Sequence, residues 1–390
     1  MPAWNSQRFL EAGRLAGIEQ AILDNAVEIA ERTLREPRPG PPILTLGHLA
    51  HLTDIDVRYL RELVARDDKD RYREFTIRKK PVAGQKNRLR FIAVPEPKLM
   101  ALQRWIARSI LAPAPVHPAS VAYAPDSQIV KAARRHVQAQ WLIKVDVRDF
   151  FESITEIDVY RVFLKRGYQP LTALELARIC TRLRDDQRSP RYVAPEQRRP
   201  RAMNVTKALP YLRKVIGYLP QGAPTSPMLA NLAISELDVD VQRIADSYGV
   251  RYTRYADDLV FSTTAKDFGR QRCSRLIGEI YHALAKRGLS PNTAKTLVAP
   301  PGARKVVLGL LVDGRHPALP RNFRSNLRMH MHFITLQGAG PSAHAESRGF
   351  SSVEGLRQHL LGLIAFAGQV DQGFANDCRS SMASASWQQP

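Results

Sequence analysis

Two adjacent carboxylates, Asp257 and Asp258, are the residues whose types and spacing point most directly to chemistry. They lie between two runs rich in β-branched and aromatic residues, a pattern that predicts a β-hairpin with the acids at its tip. Side chains alternate faces along a straight strand, but a turn breaks that alternation and lets both carboxylates approach one point. Two anions held together favour a hard dication such as Mg²⁺. A lone Asp-Asp pair is also compatible with a solvated turn.

A third acid, Asp146, follows the apolar run that begins at Trp141, which predicts a strand with a carboxylate at its C-terminal end. Capping a helix is the other role open to this acid. Three convergent carboxylates would hold two Mg²⁺ ions for in-line phosphoryl transfer, one activating a 3′-hydroxyl and one binding the triphosphate. Of the next two aromatic residues, Phe150 and Phe151, we expect one in the core and one on the floor of a nucleotide pocket.

A Gly- and Pro-rich turn, Leu219-Pro-Gln-Gly-Ala-Pro-Thr-Ser-Pro227, separates the two acidic stretches. Gly222 allows a ligand to approach the backbone closely, and Ser226 followed by Pro227 predicts an N-cap and the first turn of a helix. An ordinary strand-to-helix turn remains the alternative for this segment.

Earlier in the chain, two alternating segments predict a basic hairpin, with strands at Tyr72–Lys80 and Arg88–Val94. Its lysines and arginines, among them Lys80 and Arg90, could reach a triphosphate, because ammonium and guanidinium groups are the natural partners of phosphate. A solvated basic hairpin without a ligand is the other interpretation.

The 390-residue chain carries 58 Lys and Arg against 37 Asp and Glu, a formal net charge of +21. Such an excess favours a polyanionic partner, most simply nucleic acid. A membrane surface is disfavoured because the bases are spread along the whole chain, and no apolar run is long enough to span a bilayer. The sequence starts without a signal-peptide pattern, and its three cysteines form no CxxC pair, so we expect a cytoplasmic, reduced protein without a zinc site.

The remaining segments predict mostly helices. Helical patterns cover Ile18–Glu36, residues 46–65, Leu99–Leu111, Cys273–Gly288 and the region from about Leu319, with one strand at Lys305–Val312 and a fraying tail after Ala375. His330 and His332 lie two residues apart and would not share a helix face, which argues against a metal pair. A basic, proline-containing insertion at about 182–216 could order on nucleic acid or remain a solvated loop.

Several motifs occur in the order seen in reverse transcriptases, and the sequence resembles the retron type over roughly residues 45–370. The matching segments are Tyr72-x-x-Phe75-x-Ile77-x-Lys79-Lys80, Arg90-x-Ile92-x-x-Pro95, Leu99-x-x-x-Gln103-Arg104, Lys131-Ala-Ala-Arg-Arg-His136, Asp146-x-x-x-Phe150-Phe151, Leu219-Pro-Gln-Gly-Ala-Pro-Thr-Ser-Pro227, Tyr255-Ala-Asp-Asp258 and Val307-Leu-Gly-Leu310. Ala132 stands where the retron segment has Asn, and Leu308 where it has Thr.

The resemblance implies an α+β right-hand polymerase fold of fingers, palm and thumb with an N-terminal helical extension. The expected divisions are an extension at 1–70, fingers at 71–145, a palm at 146–312 that contains the insertion, and a helical thumb and tail at 313–390. It implies that Asp146, Asp257 and Asp258 bind two Mg²⁺ ions and are catalytic. Substrate contacts are expected from Lys80, Arg90, Phe151, Gln221, Gly222 and Tyr255.

The same resemblance implies synthesis of DNA from dNTPs on a structured noncoding RNA, with a branched RNA–DNA product (msDNA). It further implies a role in antiphage defence beside a separate effector protein. Three alternatives stay open: an intron-encoded reverse transcriptase, a polymerase fold kept as an RNA-binding scaffold, and a metal-dependent nuclease. The intact aspartates disfavour the scaffold, and the turn and basic hairpin disfavour the nuclease. No maturase-like or Cys/His-rich segment follows residue 320, which disfavours the intron type.

Overall fold

The structure, a computed structural model, describes residues 4–66, 70–78, 89–125, 127–183, 216–336 and 340–387. It mixes helices with antiparallel sheet, in agreement with the α+β prediction. Within the described residues, no helix has the length and apolar character needed to cross a bilayer.

The chain begins with a series of helices. They are α1 (Ser6–Leu15), α2 (Gln20–Leu34), α3 (Leu46–Thr53) and α4 (Val57–Ala65). Asn5, Thr45 and Asp56 each accept a backbone N–H at a helix start, which satisfies one of the donors left free there. The predicted helix after Ile18 is confirmed as α2, and the predicted region 46–65 is divided into α3 and α4.

An antiparallel hairpin follows, formed by β1 (Tyr72–Arg78) and β2 (Leu89–Pro95), with Tyr72 opposite Pro95. The chain then enters α5 (Pro97–Ile106), which has proline in its first turn and continues as a single π-helical turn to Leu111. The hairpin predicted from alternating residues is therefore confirmed over its described part, whereas residues 79–88, which include the predicted turn at Pro81–Gly84, lie outside the described residues.

The central element is a four-stranded antiparallel sheet. Its strands are β3 (Trp141–Asp146), β4 (Arg251–Tyr255), β5 (Asp258–Thr263) and β6 (Leu297–Ala299), in the spatial order β4-β5-β3-β6. Helix α6 (Ile129–Arg134) precedes the first of these strands. The helices between the strands are α7 (Phe150–Ser153), α8 (Glu156–Lys165), α9 (Pro170–Cys180), α10 (Ser226–Ala233), α11 (Ser235–Ser247) and α12 (Arg270–Lys286).

Both faces of the sheet are covered, and strand alternation decides which side chains go to which side. Ile143 and Val145 belong to a large core with the N-terminal and connecting helices. Leu142 and Val260 belong to a second core with the C-terminal helices. Asp146 lies an even number of positions from Leu142, so its side chain leaves the sheet on the face covered by the C-terminal helices.

The C-terminal region differs from two expectations. The predicted strand Lys305–Val312 is wrong: it is a tight hairpin of β7 (Val306–Val307) and β8 (Leu310–Leu311), turned by Leu308 and Gly309 at positive φ. The tail expected to fray after Ala375 is instead helical. The helices here are α13 (Arg321–Thr335), α14 (Gly340–Ser347), α15 (Val353–Gly368) and α16 (Gln372–Ser384).

The tail is ordered because it completes the second core. Cys378 and Met382 are buried on one face of α16, and the indole of Trp387 donates a hydrogen bond to the carbonyl of Met382. A composition rich in Ser, Ala and Gln concealed that apolar face. All three cysteines of the chain are free and buried.

Candidate active site

Strand pairing places two of the predicted catalytic acids directly opposite each other. Asp146, the last residue of β3, is the register partner of Asp258, the first residue of β5. Asp257 precedes Asp258, and its carbonyl accepts a 3.0 Å hydrogen bond from the backbone N–H of Val147. The strand end and the hairpin tip, separated by more than 100 residues in sequence, therefore form one edge of the sheet, as the sequence predicted.

The tip itself is a two-residue loop, Ala256-Asp257, between β4 and β5. Ala256 has a φ of 55°, a left-handed conformation that short hairpin turns require and that is uncommon for residues other than glycine. The guanidinium of Arg254 donates to the Ala256 carbonyl at 3.2 Å and so supports this turn from within the protein.

A fully buried ion pair anchors that arginine. Arg254 and Asp238 are both 0% exposed, and two guanidinium nitrogens donate to the two carboxylate oxygens at 2.6 and 2.7 Å. The hydroxyl of Tyr252 donates to the same carboxylate at 2.8 Å, and the amide oxygen of Asn231 accepts from Arg254 at 3.1 Å. Removing one partner would leave a buried charge uncompensated. The paired groups therefore stay together, and they fix the position of Arg254 below the tip.

The acids repel one another in the absence of a cation. Burial, Asp258 and Asp146 together raise the pKa of Asp257 to about 6, from an ordinary value of 3.8. Burial also raises the pKa of Asp258, against the opposing effect of Lys144. A bound cation would stabilise the ionised form of carboxylates whose pKa values are raised in this way.

A lysine that the sequence did not single out contacts the third acid. Lys295 lies in the short 3₁₀ turn Thr293–Lys295, and its ammonium donates to both carboxylate oxygens of Asp146 at 2.6 and 2.8 Å. Backbone contacts deliver it there, because the N–H of Asn292 donates to the Asp146 carbonyl at 2.7 Å. The only sequence signal was a lysine shortly after a helix, which is too common to indicate a site.

The carboxylate oxygens of Asp146, Asp257 and Asp258 are suitable ligands for a hard dication, although the three groups do not converge on one point. Among the described residues, no three His, Cys, Asp or Glu side chains stand close enough together to form a ready metal site. Instead, both carboxylate oxygens of Asp146 accept from the Lys295 ammonium. Carboxylate oxygens are the ligands that Mg²⁺ prefers, and the ammonium supplies positive charge at the position where a cation would bind Asp146.

The two phenylalanines after Asp146 differ in burial. Phe150 is buried in the large core, as expected for one of the pair, while Phe151 is half-buried and packs against that core, and their rings meet edge-on with centroids 5.4 Å apart. The expected contact of the second ring with a nucleotide stays a prediction.

The Gly-rich turn is built against the N-terminal hairpin. The N–H of Ala93 on β2 donates to the Gln221 carbonyl at 2.8 Å, and Gly222 has a φ of 118°. A Cβ at Gly222 would come within 2.9 Å of the Ala93 carbonyl oxygen, so the glycine is needed for this close packing. Ser226 is not the N-cap that the sequence predicted. The cap position belongs to Thr225, and the Ser226 hydroxyl donates to the Pro220 carbonyl instead.

The three other predicted substrate contacts are Tyr255, Arg90 and Lys80. Tyr255 ends β4 next to the tip. Arg90 is exposed on β2, and its charge lowers the pKa of Tyr123. Lys80 lies outside the described residues, as does 184–215 of the basic insertion. Arg182, at the start of that insertion, forms ion pairs with Asp70 and Glu74.

His136, from the segment that resembles the retron Asn-Ala-x-x-His motif, has a structural position. It is fully buried, and its ring nitrogens lie 2.7 Å from the hydroxyls of Ser262 and Thr253 on β5 and β4. Burial, Arg251 and Arg135 lower its pKa to about 3, so the ring stays neutral and bridges the two strands behind the tip.

Comparison with known proteins identifies the family of this chain. Residues 77–309, more than half of the chain, match the family described as "Reverse transcriptase (RNA-dependent DNA polymerase)". The retron Ec86 reverse transcriptase of Escherichia coli is 31% identical over 340 residues, which cover 87% of this chain and 89% of that protein. The chain belongs to the retron-type reverse transcriptases. The retron Mx162 enzyme of Myxococcus xanthus is 33% identical, across 72% of this chain and 55% of its own length.

This reverse transcriptase is an RNA-directed DNA polymerase, and its family has the palm, fingers and thumb architecture. Sequence reasoning found the acids because adjacent aspartates between apolar strands are a strong pattern. It did not find Lys295, Arg254 or Tyr123, whose importance depends on contacts across the fold.

Proposed function

We propose that this enzyme copies a structured noncoding RNA into DNA by two-metal nucleotidyl transfer and forms a branched RNA–DNA product. The relatives that it matches are retron reverse transcriptases, and the net charge of +21 suits an RNA partner. A role in antiphage defence beside a separate effector protein, in the cytoplasm, is part of the same proposal.

The observation that carries the mechanism is the pairing of Asp146 with Asp258, next to Asp257 at the hairpin tip. When bound, Mg²⁺ supplies activation of the attacking 3′-hydroxyl and stabilisation of the leaving pyrophosphate. The three carboxylates would hold the ions, and the buried pair of Arg254 and Asp238 keeps the tip in place while charge develops. A metal at Asp146 would compete with the Lys295 ammonium for the same two carboxylate oxygens.

The nucleotide lies between the N-terminal hairpin and the sheet. Arg90 and Lys80 contact its triphosphate, because guanidinium and ammonium groups pair well with phosphate. Phe151 excludes a ribose 2′-hydroxyl by steric clash and so favours dNTPs. Gln221 lines the nucleotide and template side, Tyr255 lies at the growing end, and Gly222 lets the turn pack against β2.

The RNA is held by the basic C-terminal helices acting as a thumb. A duplex RNA hides its base edges in a narrow major groove, so phosphate and shape contacts dominate there. Arg321, on the first turn of α13, is exposed on the surface that such a duplex would meet. Affinity should therefore fall steeply as salt is raised, and a flat response would contradict phosphate tracking.

The test is to purify the protein from its host locus and sequence the nucleic acid that remains bound. We expect a covalently joined RNA–DNA species whose RNA is encoded beside the protein. The Asp257→Asn variant, purified in the same way, should retain the RNA but lack the DNA. Recovery of unrelated cellular RNA without attached DNA from the wild-type protein would refute the proposal.

A further inference from the structure

Tyr123 occupies a backbone conformation that a large side chain rarely adopts. Its φ is 64°, and the N–H of Ala124 donates to the Ala122 carbonyl at 2.8 Å, which closes a γ-turn centred on the tyrosine. γ-Turns with positive φ are rare and strained. Other left-handed residues of this chain, such as Asp54 and Arg66, lie at helix C-termini, where that conformation is common. Tyr123 lies at no helix end.

The fold holds this turn rigidly against the catalytic hairpin. The N–H of Val121 donates to the Arg254 carbonyl at 2.9 Å, and the N–H of Arg254 donates to the Ala119 carbonyl at 2.7 Å. The amide of Asn231 donates to the Ala122 carbonyl at 2.7 Å, while its oxygen accepts from Arg254. The buried network that supports the acidic tip therefore also fixes the turn that carries Tyr123.

The ring of Tyr123 lies beside the site and remains partly open to solvent. It is 39% exposed, and its centroid is 6.0 Å from that of Tyr255, within the range of interacting aromatic pairs. Burial raises its pKa, as do Tyr255 and Asp257, while Arg90 and Arg254 lower it, so the phenol experiences charges of both signs. Strain retained at an exposed aromatic residue indicates a role in function more than in packing.

A cleft of about 760 Å³ opens next to the two rings. Its wall joins the two tyrosines with Gln128, Arg134 and, from the C-terminal helices, Gln369, beside apolar side chains that include Ile129 and Val130. Aromatic faces beside a cation and amide groups suit an unpaired nucleotide, since a base stacks on a ring and a phosphate meets the cation.

We propose that Tyr123 is a base-stacking residue that seats one nucleotide against the acidic tip, with Tyr255 beside it. This inference rests on the nucleotidyl transfer proposed above. The ligand is a nucleobase, supplied either by the 3′ end of the growing DNA or by the incoming dNTP. The strained turn brings the ring to the base, and the network through Asn231 keeps it there during successive additions.

The experiment uses the full-length protein with a DNA primer annealed to an RNA template. Tyr123→Leu removes the ring, Tyr123→Phe retains it, and Tyr123→Gly removes it while relieving the positive φ. Tyr248→Leu, a tyrosine beyond the opposite end of β4, is the matched control. We expect kcat/KM to fall by roughly 5-fold to 100-fold in the Leu and Gly variants, the range of one lost base stack, and to stay within about twofold in the other two.

A fluorescent base, 2-aminopurine, reports stacking directly because its emission is quenched when it stacks. Placed at the primer 3′ end or supplied as a deoxynucleotide triphosphate, it should brighten in Tyr123→Leu at one of these positions, and the KM affected should be that of the same ligand. Unchanged fluorescence at both positions, or Leu and Gly variants with wild-type kinetics, would overturn the inference. A wild-type protein that binds and quenches the probe but extends no primer would instead refute the proposed function.

Discussion

Replacing Asp257 with Asn should stabilise the metal-free protein while abolishing DNA synthesis. The pKa of Asp257 rises from 3.8 to about 6, because it is buried beside two other carboxylates. One pKa unit corresponds to about 1.4 kcal/mol, so ionised Asp257 opposes folding by at most about 3 kcal/mol. Asp257 is only partly buried, which reduces the expected gain in the free energy of unfolding to about 1–2 kcal/mol.

The sign of the pH dependence follows from the raised pKa. The folded state binds the proton more tightly than the unfolded chain does, so the destabilisation is absent below pH 3.8. It grows between that value and about pH 6 and is complete at neutral pH. The difference between Asp257→Asn and wild type should therefore be large at pH 7.5 and small at pH 4.

Denaturant unfolding in EDTA measures this difference, with Asp267→Asn as the control because Asp267 is an exposed acid just beyond β5. The control should change the free energy of unfolding by less than about 0.5 kcal/mol. Adding Mg²⁺ should stabilise the wild type more than Asp257→Asn, since binding to the folded state alone stabilises it. An Asp257→Asn protein no more stable than wild type in EDTA, or one equally stabilised by Mg²⁺, would refute the reasoning.

Three further predictions concern neighbours of the acids. Phe151→Ala should admit ribonucleotides, measured as the ratio of kcat/KM for dNTP and NTP; an unchanged ratio would contradict steric exclusion. Lys295→Met should lower the Mg²⁺ concentration for half-maximal thermal stabilisation by about twofold to fivefold, the worth of a partly exposed ion pair, and a higher value would contradict competition for Asp146. His136→Gln should lose less stability than wild type between pH 7 and pH 5. The folded protein favours the neutral ring of His136, so this residue stabilises the fold above pH 6.5, and the contribution decreases as the pH falls towards 3. Parallel plots of stability against pH for the two proteins would contradict this.

The sequence allowed the acidic edge to be predicted because its signals are local. Apolar alternation identifies β3, β4 and β5, and adjacent aspartates at a short turn identify the tip. The pairing of Asp146 with Asp258 then follows from closing those strands into one sheet.

The supporting residues could not be predicted in the same way. Arg254 reads as one more base in a basic chain, yet it is fully buried against Asp238, 16 positions earlier. Lys295 reaches Asp146 across 149 positions. The hairpin at Leu308 was misread as a continuous strand because its apolar residues hid a turn that depends on backbone conformation.

Anomalous diffraction from crystals of the full-length protein soaked in Mn²⁺, which substitutes for Mg²⁺ at oxygen sites, tests most directly whether the three acids bind metal. We expect metal density bound by carboxylate oxygens of Asp146, Asp257 and Asp258, with the Lys295 ammonium moved away from Asp146. Density elsewhere in the molecule, with these three acids bare and the Lys295 ion pair intact in a preparation that synthesises DNA, would contradict metal binding by these acids.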